Sequence, residues 1–256
     1  MASFNYELFD REKFEEWSNL HALHKDEIAF FERHLCDIPR NAHILDIGTG
    51  CGRFIFGLLP YGFRHFSGID MSKKLIEVAR GRRQELQVEC EIDFSIQNAS
   101  DLAFADYSKD VVIACQQIYC LIEERDERKK ALSEAYRVLE PGGVILLSVL
   151  NWEGRWYNPL IAAAVAPFKI LKREWKRLNR QYLCWLNLGF WSNFKGLFGR
   201  QPYTYWYRRN EIEGELVEAG FSILDVASAK MLVEKQSAFE FGGMLFVAAR
   251  KPLPRG

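Results

Sequence analysis

The sequence predicts an α/β fold built from βαβ units around a parallel sheet. From His43 to Val149, short apolar runs alternate with amphipathic, charge-bearing stretches, which is how parallel strands and their crossover helices read. Start and stop signals fall between the runs, as at Ser72 and at Pro141-Gly142-Gly143. A chain of 256 residues that is 48% hydrophobic can bury one sizeable core, and no linker or low-complexity stretch divides it. One domain is expected over 1–256.

In order, residues 1–40 read as a helical cap, since YELFDREKFEEWSNLHALHKDEIAFFERHL repeats apolar residues at three- and four-residue spacings with charges between them. The core, 41–150, supplies HILDIG, HFSGID, IDFSIQ, DVVIAC and GVILLSV as strands. SKKLIEVARGRR and ERKKALSEAYRVL are the clearest helices between them; Ser72 caps the first, and Pro141-Gly142-Gly143 stops the second after Glu140. Right-handed crossovers then place the helices on the sheet faces. Residues 151–206 abandon the alternation and form an insertion after the fifth strand. It resumes in 207–256, where Asn210 and Glu213 suit a capping pair for IEGELVEA, Gly220 ends that helix, and FSILDVASA and MLFVAAR follow as strands. Their short connection makes the final pair antiparallel.

The chemistry gathers where the strands end. ILDIGTGCGR places Asp46 on the first strand and Gly48, Gly50 and Gly52 directly after it, and glycines let a ligand approach backbone without meeting a Cβ. Asp70, at the end of SGID, lies 18 residues past Gly52, a spacing at which a carboxylate can accept both hydroxyls of a ribose. A dinucleotide fingerprint would continue GxGxxG, but position 53 is Arg, and an acid at 46 opposes a pyrophosphate while favouring an ammonium. The residues therefore describe a cofactor with a ribose and a positive amine.

D-x-G-x-G-x-G followed by a strand-end acid resembles the class I S-adenosylmethionine-dependent methyltransferases. Over roughly residues 40–150 further segments match in the family's order: NASDLAFAD at 98–106 is similar to its GDAxxLPF segment, and YRVLEPGG at 136–143 to its RVLKPGG signature. The resemblance is weaker over 207–251. It implies a Rossmann-like, doubly wound, seven-stranded sheet with the last strand antiparallel, and S-adenosyl-L-methionine as cofactor with S-adenosyl-L-homocysteine as product. It also implies Asp46 and the glycine loop at the methionine moiety, Asp70 on the ribose, Met71 against the adenine, Ala99 offering backbone to the adenine edge, and Cys115 and Gln116 alongside. Asn98 departs from the pattern, standing where the family carries an Asp that accepts from the adenine amino group; an amide oxygen still accepts, less strongly.

The substrate side is described by position and charge. Gln117 and Tyr119 follow the fourth strand and face either a pocket or the next helix, while Asn151, Trp152 and Tyr157 open the insertion at the pocket rim. Residues 151–210 hold six of the seven tryptophans and eleven Lys or Arg against Glu153 and Glu174, so the zero net charge of the chain hides a basic lobe. Phe168, Leu171, Trp175, Leu178, Tyr182 and Trp185 recur at helical spacing opposite Lys169, Lys172, Arg173, Lys176, Arg177 and Arg180, a pattern for one amphipathic helix after Pro167. A lid over a small anionic or aromatic substrate, a surface for tRNA-like nucleic acid, an anionic membrane contact through the basic 169–180 helix, and a subunit interface all fit it. Acid–base help is dispensable for an amine acceptor, whereas a hydroxyl acceptor wants a base; His21 and His24, with Lys25 and Tyr6 nearby, are candidates or else ordinary helix residues.

Other classes are disfavoured. Cys36, Cys51, Cys90, Cys115, Cys120 and Cys184 are scattered without CxxC spacing, which reads as free thiols in a reducing compartment. The five histidines show no ligand spacing, so no metal is expected. The start MASFNYELFD lacks a basic-then-apolar leader, and the longest uncharged runs, such as 181–194, fall short of the roughly 18–20 residues that span a bilayer, so a cytoplasmic location is expected.

Overall fold

In a computed structural model the described residues are 21–154, 158–171, 182–183, 204–233 and 244–254, with Asn5, Glu7, Ser18 and Asn19 besides. Asn5, Glu7 and Ser18 are helical, and the elements whose bounds are described begin with α1 (Lys25–Leu35), followed by β1 (His43–Ile47), α2 (Arg53–Leu58), β2 (His65–Asp70), α3 (Lys73–Glu85) and β3 (Glu91–Ile96). Next come β4 (Lys109–Ala114), α4 (Ile118–Leu121), α5 (Arg125–Val138) and β5 (Leu139–Leu150). The later elements are α6 (Asn158–Leu171), β6 (Tyr182–Leu183), β7 (Thr204–Tyr205), α7 (Arg209–Glu218), β8 (Ser222–Ser228), α8 (Ala229–Leu232) and β9 (Met244–Arg250).

Seven strands form one sheet in the order β3-β2-β1-β4-β5-β9-β8, and β6 pairs with β7 apart from it. β1 to β5 are mutually parallel, whereas β9 runs antiparallel to both β5 and β8, giving the Rossmann-like, doubly wound sheet with the reversed last strand. The central strands are covered on both faces and are continuously apolar for that reason: Val111, Val112, Ile113 and Ala114 on β4 and Ile145, Leu146 and Leu147 on β5 are all fully buried. β3, at the sheet edge, alternates instead, with Ile92 and Phe94 buried between exposed Glu91 and Asp93. The strand order reverses between β1 and β4, so the crevice beyond their C-terminal ends is where this architecture receives a ligand.

Helix boundaries follow caps that the residue pattern hides. Ser72 caps α3 as expected, its hydroxyl accepting the Leu75 N–H at 3.3 Å. α1 starts only at Lys25, because Glu27 reaches back to the His24 backbone N–H at 2.7 Å, so residues 21–24 are not helical although the apolar spacing runs through them. α7 likewise starts from Arg208, with Glu211 as the acid of its first turn; Asn210 lies inside the helix and Glu213 pairs with Arg209 at 2.8 Å. α5 ends at Val138, before Glu140, since Leu139 is already paired with Lys109 of β4. α6 runs through Pro167 rather than starting after it: its Ala-rich stretch 162–166 is strongly helix-forming, and the proline forfeits one backbone bond. Of the rest of the expected 168–185 helix, Tyr182 and Leu183 form strand β6 against β7 instead, and the other residues, including most of the basic 169–180 helix, lie outside the described residues.

Candidate active site

The strand ends of β1 to β4 converge, and the glycine loop 48–52 is tied across them. The Thr49 N–H donates to Ile69 O at 2.9 Å, and the Gly50 N–H to Asp70 Oδ2 at 3.0 Å. Each glycine has its own reason. A Cβ on Gly48 would stand 2.2 Å from the Ile118 side chain, and one on Gly52 would stand 2.6 Å from Phe56. At Gly50, whose φ is +54°, a Cβ would meet nothing within 4 Å: this is the point where the loop opens on free space.

Asp46, near the C-terminal end of β1, is fully buried, and its carboxylate makes no close hydrogen bond, the Thr49 hydroxyl being the donor that acts on it. Burial pushes its pKa up to about 7; the neighbouring Thr49 hydroxyl and Arg53 guanidinium ease the shift, while Asp70 and Glu27 add to it. An unpaired buried carboxylate is costly, and an ammonium is the group that relieves it. Asp70 is held differently: Oδ1 accepts the Ser72 N–H at 2.8 Å and Oδ2 that of Gly50, which aims the carboxylate and leaves each oxygen a lone pair for a diol. Its pKa is raised by burial, against the pull of these amides.

Met71 is 40% exposed directly past Asp70, open to a planar ligand. Asn98 is exposed, and its Oδ1 accepts the Ser100 N–H at 3.1 Å, so it builds the turn after β3 while keeping acceptor capacity; Ala99 is half-buried beside it. Cys115 faces inward, its thiol donating to Leu146 O across β5, and brings only its backbone to the strand end. Gln116 and Gln117 are consecutive non-glycine residues with φ of +57° and +61°, a conformation that costs about 1–2 kcal/mol per residue. It is held by the Gln116 N–H on Ser148 Oγ at 2.9 Å and the Gln117 N–H on Ser148 O at 3.1 Å.

The expected substrate residues divide. Tyr119 is fully buried, with its hydroxyl 3.5 Å from Ala131 O on α5, and serves the core; burial raises its pKa. Trp152 is 6% exposed, its backbone N–H donating to Tyr207 O at 2.8 Å, and packs into the same core. Asn151 stays half-exposed, its Oδ1 accepting the Glu153 N–H at 3.0 Å, and Tyr157 lies outside the described residues. Trp152→Ala is therefore expected to cost about 3 kcal/mol of stability through the void it leaves, measured by urea denaturation. His21 is exposed, with Nδ1 4.0 Å from the Cys51 sulfur, His24 precedes α1, Lys25 is exposed, and Tyr6 lies outside the described residues. An open groove of about 600 Å³ between residues 21–28 and α2 is lined by Leu23, Phe56 and Tyr61, away from the strand-end acids.

Sequence reasoning missed the device that fastens α1 over this region. Arg53 Nη1 and Nη2 grip Glu27 Oε2 and Oε1 at 2.7 and 2.6 Å, both side chains being buried, and Nη1 also donates to Ala22 O at 2.8 Å. The Gln116 amide nitrogen donates to Glu27 Oε1 as well. Nothing in a sequence announces an ion pair between residues 26 positions apart; Arg53 registers there only as the break in a dinucleotide pattern.

Comparison with known proteins agrees with this geometry. Residues 44–143 match the model of a methyltransferase domain. The chain is 31% identical over 124 residues to the O-methyltransferase rstn1 of Aspergillus nomiae, covering 48% of this chain and 53% of that protein. It is 31% identical over 141 residues to the tRNA (carboxymethyluridine(34)-5-O)-methyltransferase of Arabidopsis thaliana, covering 55% of this chain and 29% of that one. The chain thus spans about half, or less, of the length of these relatives. A solved SAM-dependent methyltransferase from Methanosarcina mazei superposes with a TM-score of 0.65 at 19% identity, over 84% of this chain and 95% of its own.

Proposed function

We propose that this chain, which carries a class I S-adenosylmethionine-dependent methyltransferase domain, is an enzyme that methylates oxygen or nitrogen of a small, anionic or aromatic acceptor and releases S-adenosyl-L-homocysteine. The observation that carries the reading is Asp46: a buried acid with no close hydrogen bond, on the strand that runs into the glycine loop, where Gly50 has free space around its Cα and donates its N–H to Asp70. These residues fit the cofactor. Asp46 would hold its ammonium, Asp70 its ribose hydroxyls, and Met71, Asn98 and Ala99 its adenine, with the Cys115–Gln116 backbone alongside. When bound, the cofactor supplies an electrophilic methyl group on a sulfonium.

The chain's part is to align and to exclude water, because in-line displacement from a sulfonium needs geometry more than proton transfer. The Glu27–Arg53 clamp keeps α1 down over the loop, and the left-handed Gln116-Gln117 pair fixes the backbone at the end of β4. The relatives named above are O-methyltransferases, which favours an oxygen acceptor. The preference for an anionic acceptor rests on the excess of Lys and Arg in 151–210. A lipid acceptor at an anionic membrane surface is the second reading, favoured by α6, where Leu160, Ile170 and Leu171 are 63%, 47% and 82% exposed. Among the described residues no helix is long and apolar enough to cross a membrane.

Saturating S-adenosylhomocysteine is expected to raise the melting temperature at pH 8, by about 2.7 kcal/mol of stabilisation at a hundred times Kd, while NAD gives no shift. The reverse pattern would refute the cofactor assignment. Untargeted profiling of extracts for a gain of one methyl group then separates a small acceptor from one found only in lipid or RNA fractions.

A further inference from the structure

We propose that Glu27 is a positioning residue for the cofactor's amine: by engaging Arg53 through both carboxylate oxygens it withholds that cation from Asp46, and so leaves Asp46 to an ammonium brought by the ligand. This rests on the methyltransferase reading above and names how its cofactor site is kept in a receptive charge state.

Arg53 is the first residue of α2, directly after the glycine loop, and is 4% exposed. Two buried acids feel its charge, Glu27 in direct contact and Asp46 through space. A guanidinium is a rigid fork, and the fork is spent on Glu27, with Ala22 O taking a further bond and the Phe54 ring 4.3 Å from its central carbon. Arg53 still lowers the pKa of Asp46 from a distance but makes no hydrogen bond to it. Glu27 is in turn fixed by the His24 N–H at the cap of its own helix, on Oε2, and by the Gln116 carboxamide from the end of β4, on Oε1. A carboxylate only accepts, so Gln116 must present its nitrogen there, which commits its carbonyl oxygen elsewhere. The pair Glu27–Arg53 is thus neutral and closed, and the unpaired negative charge of the site resides on Asp46. Remove the charge of Glu27, and the Arg53 guanidinium is released to act on Asp46, whose charge it already stabilises through space, so a ligand amine loses its counter-ion to an internal pair.

The test compares S-adenosylhomocysteine with 5′-methylthioadenosine, which keeps the adenosine and the thioether but lacks the amino-acid end. Calorimetric affinities are measured for wild type, Glu27→Gln and the double variant Glu27→Gln/Arg53→Met, with circular dichroism checking that each is folded. In Glu27→Gln, S-adenosylhomocysteine is expected to bind about 10- to 100-fold more weakly while methylthioadenosine is unchanged. The double variant, having no cation left to occupy Asp46, should regain most of the preference for S-adenosylhomocysteine. A merely structural role for Glu27 would weaken both ligands together, with the double variant no better than the single, and that result overturns the proposal. So does an unaltered ratio of the two affinities in Glu27→Gln. If wild type binds neither ligand, the methyltransferase reading itself fails, an outcome distinct from failure of the variants alone.

Discussion

Asp46→Asn is expected to give a protein that is more stable at pH 8 and binds S-adenosylhomocysteine about 10- to 150-fold more weakly. The two effects share one cause. The folded-state pKa of Asp46, about 7, lies above the 3.8 of the free side chain, so its stabilising contribution is complete below about pH 4 and is lost as pH rises to 7. By pH 8 the loss amounts to about 4 kcal/mol, and an amide removes the charge while leaving a buried polar group, for a net gain of about 1–3 kcal/mol. Urea denaturation at pH 8 and pH 5 measures it, with the gain shrinking at the lower pH. A destabilised variant with intact ligand binding would mean that Asp46 is a structural acid.

The second large effect belongs to Arg53. Arg53→Met should cost about 3–5 kcal/mol, because removing one partner of a buried ion pair leaves the other charge uncompensated. Glu27 is fully buried, and its remaining donors, the His24 N–H and the Gln116 amide, do not neutralise it. Adding Glu27→Gln should return part of the loss, since two neutral groups replace one stranded charge. Equal denaturation midpoints for Arg53→Met and wild type would show that the pair holds nothing.

These effects come from contacts of unequal legibility. The strands could be read because β1, β4 and β5 are covered on both faces and must be apolar throughout, and the loop could be read because Gly48, Gly50 and Gly52 all take positive φ. The positions of Asp46 and Asp70 at the strand ends followed from those two facts. Helix starts were less legible because His24 and Arg208 stand at caps where Ser, Thr, Asp or Asn would have announced them. Tyr119 and Trp152 follow strand ends and so resemble pocket residues, yet which way a side chain turns after a strand depends on backbone such as the left-handed Gln116-Gln117 pair, for which the sequence carries no glycine. The Glu27–Arg53–Gln116 cluster is tertiary throughout, joining α1, α2 and the end of β4.

The most direct test is calorimetric titration of wild type with S-adenosylhomocysteine at pH 6 and pH 9, each in two buffers of different ionisation enthalpy. A carboxyl with a pKa of about 7 is mostly protonated at pH 6, so close to one proton should be released on binding there; at pH 9 the carboxyl releases none and the ligand's part-neutral amine takes a proton up, with Asp46→Asn releasing none at either pH. Binding without proton release at pH 6, or release that persists in Asp46→Asn, would contradict the pairing of Asp46 with the cofactor's amine.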